Sequence, residues 1–170
     1  IDADSYIYRI IADGNKNVVA FFREIEPPAQ YTVTAKTDPE GSGTIIGGGT
    51  YNEGDEVTIA ATAVNGYEFS GWSIGGVEVP DQPDGKLHKC IIQNIGRDIT
   101  VIAHFIRLYT VTTSVDPERA GNIFGGGTYK EGDIVKITAT TAEGYLLHHW
   151  IINDKGTPTG ENPYIIKGIN

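Results

Sequence analysis

Hydrophobic and polar residues alternate along much of this chain with the two-residue period of a half-buried β-strand. The alternation is regular in residues 31–35, 57–63 and 135–139. Glycine, proline, asparagine and aspartate separate these runs, as is typical of tight turns. No convincing amphipathic helix occurs, so the pattern predicts a mainly β protein with little or no helix.

The chain also repeats itself. Residues 31–72 recur as residues 109–150 at a constant offset and without a gap, so that Tyr31 corresponds to Tyr109 and Trp72 to Trp150. Self-similarity at a long fixed period is typical of arrays of small structural units. We therefore predict tandem small antiparallel β domains.

The repeat divides the chain into four parts: residues 1–22 as the C-terminal strands of a preceding repeat, 23–30 as a linker, 31–106 as a complete repeat, and 109–170 as a second repeat that lacks its last strand. The first part is inferred because SYIYRIIADGNKNVVAFF, at 5–22, shares the strand–turn–strand plan of HKCIIQNIGRDITVIAHF, at 88–105. The short junction at 106–108 predicts a semi-rigid rod. A permuted phase, with units at 6–74 and 88–152, is an open alternative.

The composition of the chain argues against several classes of function. The 39% hydrophobic and 21% charged residues are typical of a globular protein, and the formal net charge of -9 argues against binding nucleic acid or anionic lipid. No apolar run is long enough for insertion into a membrane, and no leader pattern occurs. We interpret the chain as a fragment of a longer protein. Its single cysteine, Cys90, excludes an internal disulfide and is expected to be buried.

Glycine-rich and acidic stretches are the first candidates for chemistry. Residues 47–50, GGGT, lack the lysine and the following helix of a phosphate loop, so a turn or bulge is favoured. Four carboxylate pairs lie in turns, where solvent should keep them ionised: Asp38 with Glu40, Glu53 with Asp55, Asp116 with Glu118, and Glu131 with Asp133. We expect no catalysis there. Calcium binding to these turns stays open, although no EF-hand spacing occurs.

Histidines and aromatic residues are the second group of candidates. His148 and His149 would point to opposite faces of a strand, so we expect one to be exposed and the other packed, and they should not share a metal ion. Nothing in the sequence brings a serine, a histidine and an aspartate together. Aromatic side chains could form a carbohydrate platform, but their repetition favours a core role: Trp72, Trp150, Tyr51, Tyr67, Tyr129 and Tyr145.

The repeated residues resemble a known family. YTVT, DPEGSGTI, GGGTYNEGDEVTIAATAVNGYEFSGW and DITVIAHF in the first copy, with YTVT, DPERAGNI and GGGTYKEGDIVKITATTAEGYLLHHW in the second, are similar to the divergent form of the internalin B-repeat. The resemblance implies a small β-rich unit with a β-grasp-like or sandwich-like fold. Such units would be arranged in arrays on exported bacterial surface proteins and act as a spacer or adhesive stalk. It carries no catalytic residues to transfer.

These observations predict a non-enzymatic structural or adhesion segment of a bacterial cell-surface protein, located outside the cell and needing no cofactor. The alternative is a carbohydrate-binding module attached to an extracellular enzyme or adhesin. A protein or glycan partner on a surface, and head-to-tail self-association through open strands, are the expected interactions. The candidate contact residues for a ligand or partner are Tyr51, Tyr129, His148 and His149.

Overall fold

The computed structural model describes residue 9 and residues 14–153, 155–156 and 162–169. These residues form the strands β1 (Gln30–Asp38), β2 (Gly43–Ile46), β3 (Gly49–Asn52), β4 (Val57–Ala63), β5 (Tyr67–Ile74), β6 (Val77–Val79), β7 (His88–Ile92), β8 (Ile99–Val111), β9 (Gly121–Phe124), β10 (Gly127–Lys130), β11 (Val135–Thr141), β12 (Ile151–Ile152), β13 (Lys155–Gly156) and β14 (Tyr164–Ile166). No helix occurs among them, which confirms the prediction of a mainly β fold. Accordingly, this part of the chain contains no helix that could span a membrane.

The first repeat consists of two sheets. One has the order β3-β1-β8-β5-β6, and the other has the order β2-β4-β7. Among the described strands, only the pairing of β1 with β8 is parallel. The prediction of antiparallel strands is therefore confirmed for the other pairs. Two sheets enclose the core, as in a sandwich-like fold.

The core of the first repeat is made by the inward positions of the alternating strands. Val57, Ile59 and Ala61 come from β4 and face Trp72 of β5. The full buried cluster is Val33, Val57, Ile59, Ala61, Trp72, Cys90, Ile95, Val101, Ala103 and Phe105. Cys90 is buried as the sequence predicts.

Strand β8 belongs to both repeats. Its first part pairs with β1 and β5, and its last residues, Leu108 to Val111, pair with β10 of the second repeat. Three further contacts tie the copies together: Leu108 N–H donates to Gly66 O at 2.8 Å, Glu131 N–H donates to Arg107 O at 2.8 Å, and Lys130 pairs with Glu68 at 2.7 Å. Residues 106–108, which are predicted from the sequence to be a short connection between the repeats, are therefore part of the continuous strand β8.

The second repeat reproduces only part of this architecture. β9, β11 and β14 form the counterpart of the β2-β4-β7 sheet, and Val135, Ile137 and Trp150 are its buried residues. Residues 112–116 and 145–150, the counterparts of much of β1 and β5, form no strand. In the first repeat both segments pair with residues 99–107 of β8, and no described strand takes that position in the second repeat.

The hairpin predicted for residues 5–22 is only partly covered by the structure. The first strand, apart from Arg9, and the first half of the turn predicted at residues 12–15 lie outside the described residues. The second strand, predicted over residues 16–22, is absent, since residues 14–29 carry no regular secondary structure. The physical reason is that a strand needs a neighbour for its backbone hydrogen bonds, and none of the described strands pairs with this segment.

Candidate functional site

In each repeat a glycine-rich loop joins two strands that are consecutive in sequence and belong to different sheets. Gly47 lies between β2 and β3 with a φ of 97°, and its counterpart Gly125 lies between β9 and β10 with a φ of 102°. The Tyr51 hydroxyl donates to the Gly47 carbonyl at 2.6 Å, and the Tyr129 hydroxyl donates to the Gly125 carbonyl at 2.8 Å. Each loop is followed by a strand, and not by the helix that a phosphate loop needs.

The candidate contact residues Tyr51 and Tyr129 hold equivalent positions in different repeats. Each is half-buried and packs against the core of its own repeat. Their hydroxyl groups donate to the loop carbonyls, which holds each side chain against its own loop. The structure does not bring these two tyrosines together with the histidine pair into one site.

The histidine pair differs from the sequence expectation. Residues 145–150 do not form a strand, so the side chains of His148 and His149 do not alternate between two faces. Both are exposed, and their Nδ1 atoms lie 2.7 Å apart. The expectation that one would pack is wrong, because the strand on which it depended is missing. At this distance one imidazole nitrogen donates and the other accepts.

Both tryptophans are core residues. Trp72 is 1% exposed and Trp150 is 6% exposed. Trp72 packs against Phe69 with ring centroids 5.3 Å apart, and Trp150 lies near Tyr164 at 6.4 Å. Their ring faces are therefore unavailable for stacking on a sugar. The two largest side chains of the proposed carbohydrate-binding platform cannot contact a ligand.

The acidic turns use their carboxylates to hold the backbone. Asp55 accepts a hydrogen bond from Asn52 N–H at 2.9 Å, and Asp133 accepts one from Lys130 N–H at 2.8 Å. Within the described part of the chain, no three histidine, cysteine, aspartate or glutamate side chains are close enough together to hold a metal ion. Asp55 and Asp133 therefore act locally as turn caps.

The segment that follows Trp72 is fastened to the core by Asp81. One oxygen of this carboxylate accepts from Trp72 Nε1 at 3.0 Å and from Lys89 N–H at 3.1 Å, and the other lies 2.6 Å from His88 Nδ1. The His88 ring also stacks on Phe69 at 3.9 Å. Asp81 thus links an irregular loop to two strands.

The charge of Asp81 affects its surroundings. Burial raises the pKa of this carboxyl, but the hydrogen bonds from His88 and Trp72 outweigh burial and leave the pKa below its usual 3.8. Burial, together with the Asp81 charge, raises the pKa of the Cys90 thiol. Cys90 is therefore a poor nucleophile at neutral pH, because the thiolate is the reactive form.

We expect the Asp81→Asn variant to lose about 1 to 3 kcal/mol of stability at neutral pH, since hydrogen bonds to a charged carboxylate are replaced. Because folding lowers the Asp81 pKa, this contribution is complete above about pH 3.8 and is lost as the pH falls through the folded pKa. Urea unfolding followed by circular dichroism across the acid range should show the difference shrinking. Asp84→Asn, at an exposed partner of Lys89, serves as the control and should change little. A difference that does not vary with pH would contradict the assignment to charge.

A serine, a histidine and an aspartate do meet on the outer face of the larger sheet. The Ser73 hydroxyl lies 2.7 Å from His104 Nε2, and His104 Nδ1 lies 3.1 Å from Asp38. When Nδ1–H donates to Asp38, Nε2 accepts the serine proton. The sequence does not predict this row of hydrogen bonds, because Ser73, His104 and Asp38 lie on three different strands. The contact between Asp38 and His104 depends on the parallel register of β1 and β8, which places these two residues side by side.

The geometry resembles that of a nucleophilic triad, but the surroundings fit a structural link. Ser73 is 5% exposed and lies on a strand that is paired on both sides, by β6 and β8. A nucleophile must reach its substrate, and the Ser73 hydroxyl is covered. The second repeat has Ile151 at the corresponding position. The hydrogen bonds therefore join β5, β8 and β1 side by side.

Comparison with known proteins gives one match. The family model described as the divergent InlB B-repeat domain matches residues 31–107 and again residues 110–166. The two matched ranges correspond to the two copies of the repeat and cover most of the chain. No curated protein and no solved structure matches.

Proposed function

Because the chain belongs to the divergent InlB B-repeat family, we propose that it is a non-enzymatic stalk or spacer segment of a bacterial cell-surface protein, acting outside the cell. Adhesion to a protein or glycan is the accompanying role. The observation that carries the proposal is strand β8, which passes from one repeat into the next without a flexible connection. A spacer of this kind keeps its ends apart, since successive units cannot swing freely.

The first repeat is also arranged to resist tension along the array. β1 enters the repeat at Gln30, and β8 leaves it toward the second repeat. The two strands are parallel and paired from Val33 beside Ile99 to Asp38 beside His104. Tension applied through the two ends of the repeat therefore pulls these neighbours in opposite directions along their axes. All the hydrogen bonds of the ladder are loaded together, rather than being opened one at a time.

We expect the direction of pulling to decide the unfolding force. Handles attached through cysteines at Gln30 and Arg107 load the β1–β8 ladder in shear. Handles at Glu40 and Arg107 pull from the same end of both strands and open the ladder pair by pair. Single-molecule force spectroscopy should record a clearly higher unfolding force for the first arrangement. Equal forces in the two arrangements would contradict a role under tension.

Two other functions can be tested on the same protein. Hydrolysis of activated esters that is lost in the Ser73→Ala variant would overturn the non-enzymatic assignment. Binding on a glycan array that is lost on changing Tyr51 or Tyr129 would support the carbohydrate-binding alternative. The burial of Trp72 and Trp150 counts against that alternative. Surface exposure of the parent protein can be checked by protease treatment of intact cells.

A further inference from the structure

The turn between β4 and β5 contains the only asparagine of the sequence that is followed directly by a glycine, Asn65 before Gly66. Tyr67 N–H donates to Val64 O at 3.1 Å and closes the turn, and Gly66 has a φ of 86°. A positive φ at the third residue is characteristic of a type II turn and favours glycine there. The backbone nitrogen of Gly66 therefore carries no neighbouring side chain that would shield it.

Both groups that could react with each other in this turn are accessible. Asn65 is exposed, and its side-chain amide makes no hydrogen bond with any described residue. Within the same part of the chain Gly66 N–H has no acceptor, and a Cβ at Gly66 would meet no atom within 4 Å. Rotation of the peptide plane between the two residues brings the nitrogen toward the side-chain carbon of Asn65. Glycine permits this rotation because it has no Cβ.

The carbonyl group of Gly66 is one of the links between the two repeats. It accepts a hydrogen bond from Leu108 N–H at 2.8 Å. Leu108 also begins the part of β8 that pairs with β10 of the second repeat. A change in the length of the backbone at Asn65 therefore displaces the Gly66 carbonyl from its partner in β8.

We propose that Asn65 is a site of spontaneous deamidation, and that the isoaspartate formed there weakens the hydrogen bond between Gly66 and Leu108. The Gly66 nitrogen loses its proton to a base and attacks Cγ of Asn65. The Cγ–Nδ2 bond breaks, ammonia leaves with a proton from water, and a cyclic imide forms. Water then opens the ring at Cγ to give aspartate, or at the backbone carbonyl carbon to give isoaspartate. Overall, water is consumed, ammonia is released, and nothing is oxidised or reduced.

The two products differ in their effect on the turn. Aspartate keeps the normal backbone, and the second repeat already carries a carboxylate at this position, Glu143. Its turn is closed in the same way, since Tyr145 N–H donates to Ala142 O at 3.1 Å and Gly144 has a φ of 82°. Isoaspartate instead routes the chain through the side-chain methylene, which adds a carbon atom to the backbone. Only the second product therefore shifts the carbonyl that follows.

The first test locates the modification. The full chain is kept in mildly alkaline buffer, digested and analysed by mass spectrometry, and isoaspartate is labelled with an isoaspartyl methyltransferase. Asn52 and Asn94 are internal controls, because both are exposed and each is followed by a residue with a side chain. Asn65 should convert about tenfold or more faster than either control. Conversion at Asn65 that is no faster than at the controls, or that yields no isoaspartate, would overturn the proposal.

A matched variant tests whether the turn itself supports the reaction. Glu143→Asn places a second asparagine before a glycine, in a turn with the same closing hydrogen bond and a similar glycine φ. The new asparagine should deamidate at a rate comparable to that of Asn65. If it stays unmodified while the variant remains folded, an asparagine before glycine in this turn is not sufficient for the reaction, and the proposed mechanism fails.

The second test follows the link between the repeats. Ion exchange separates the isoaspartate form from the unmodified chain, and nuclear magnetic resonance measures hydrogen exchange at the Leu108 amide. Exchange should be about tenfold or more faster in the isoaspartate form, because the amide has lost its acceptor. The Asn65→Asp variant has the same added charge on a normal backbone and should exchange like the unmodified chain. Equal exchange in all three forms, or equal acceleration by Asn65→Asp, would overturn the proposed effect of the lengthened backbone.

Discussion

Replacing Trp72 with alanine is expected to lower the free energy of unfolding of the first repeat by about 3 to 5 kcal/mol. The side chain is 1% exposed and fills the space between the two sheets, so alanine leaves a cavity. The change also removes the hydrogen bond from Trp72 Nε1 to Asp81. Urea unfolding followed by far-ultraviolet circular dichroism measures the loss.

Two further substitutions make the result specific. Leu146→Ala removes an exposed side chain and should have almost no effect. Trp150→Ala should affect only the second repeat, whose buried cluster is much smaller. A Trp72→Ala loss no larger than that of Leu146→Ala would show that the tryptophan does not hold the core together.

Replacing Gly47 with alanine is expected to be about as damaging, for a different reason. The backbone at Gly47 has a φ of 97°, a conformation that costs a residue with a side chain about 1 to 2 kcal/mol. An added Cβ would also collide with the Thr58 carbonyl oxygen on β4. Because the collision is with backbone, β2 or β4 must move, at a further cost of about 1 to 3 kcal/mol.

The Gly54→Ala variant separates the cost of the backbone conformation from the cost of the collision with β4. Gly54 has a similar φ of 86°, but a Cβ there would meet nothing within 4 Å. Its loss of stability, measured by the same urea unfolding, should therefore reflect conformation alone and be the smaller. The second repeat offers the same comparison, between Gly125 and Gly132. If the Gly47 and Gly54 variants lose equal stability, the contact with β4 is not important.

The regular parts of the fold are predictable from local pattern. The alternation at residues 57–63 indicates which side of β4 is buried, and the repeated tryptophan indicates a core anchor. The strand predicted at residues 16–22 is not formed, even though Val18, Val19 and Phe22 are typical strand residues. A strand depends on hydrogen bonds to a neighbour, which the local sequence does not supply.

The candidate sites show a similar division. The turn role of Gly47 follows from its sequence context, and the structure adds the hydrogen bond from Tyr51. The expectation for His148 and His149 depended on a strand and fails with it. The link between Ser73, His104 and Asp38 was not predictable, because pairings between distant strands bring its members together.

By itself, the sequence determined the repeat, the β class of the fold, the buried tryptophans and the family, because each of these is written in local spacing or in the recurrence of a motif. Only the tertiary structure decided that β8 is shared by the two repeats, and that residues 112–116 and 145–150 form no strand. These features depend on which strand lies beside which. Residues 31–38 and 109–116 have closely similar sequences, yet only the first segment is strand throughout, because residues 99–104 of β8 lie beside it.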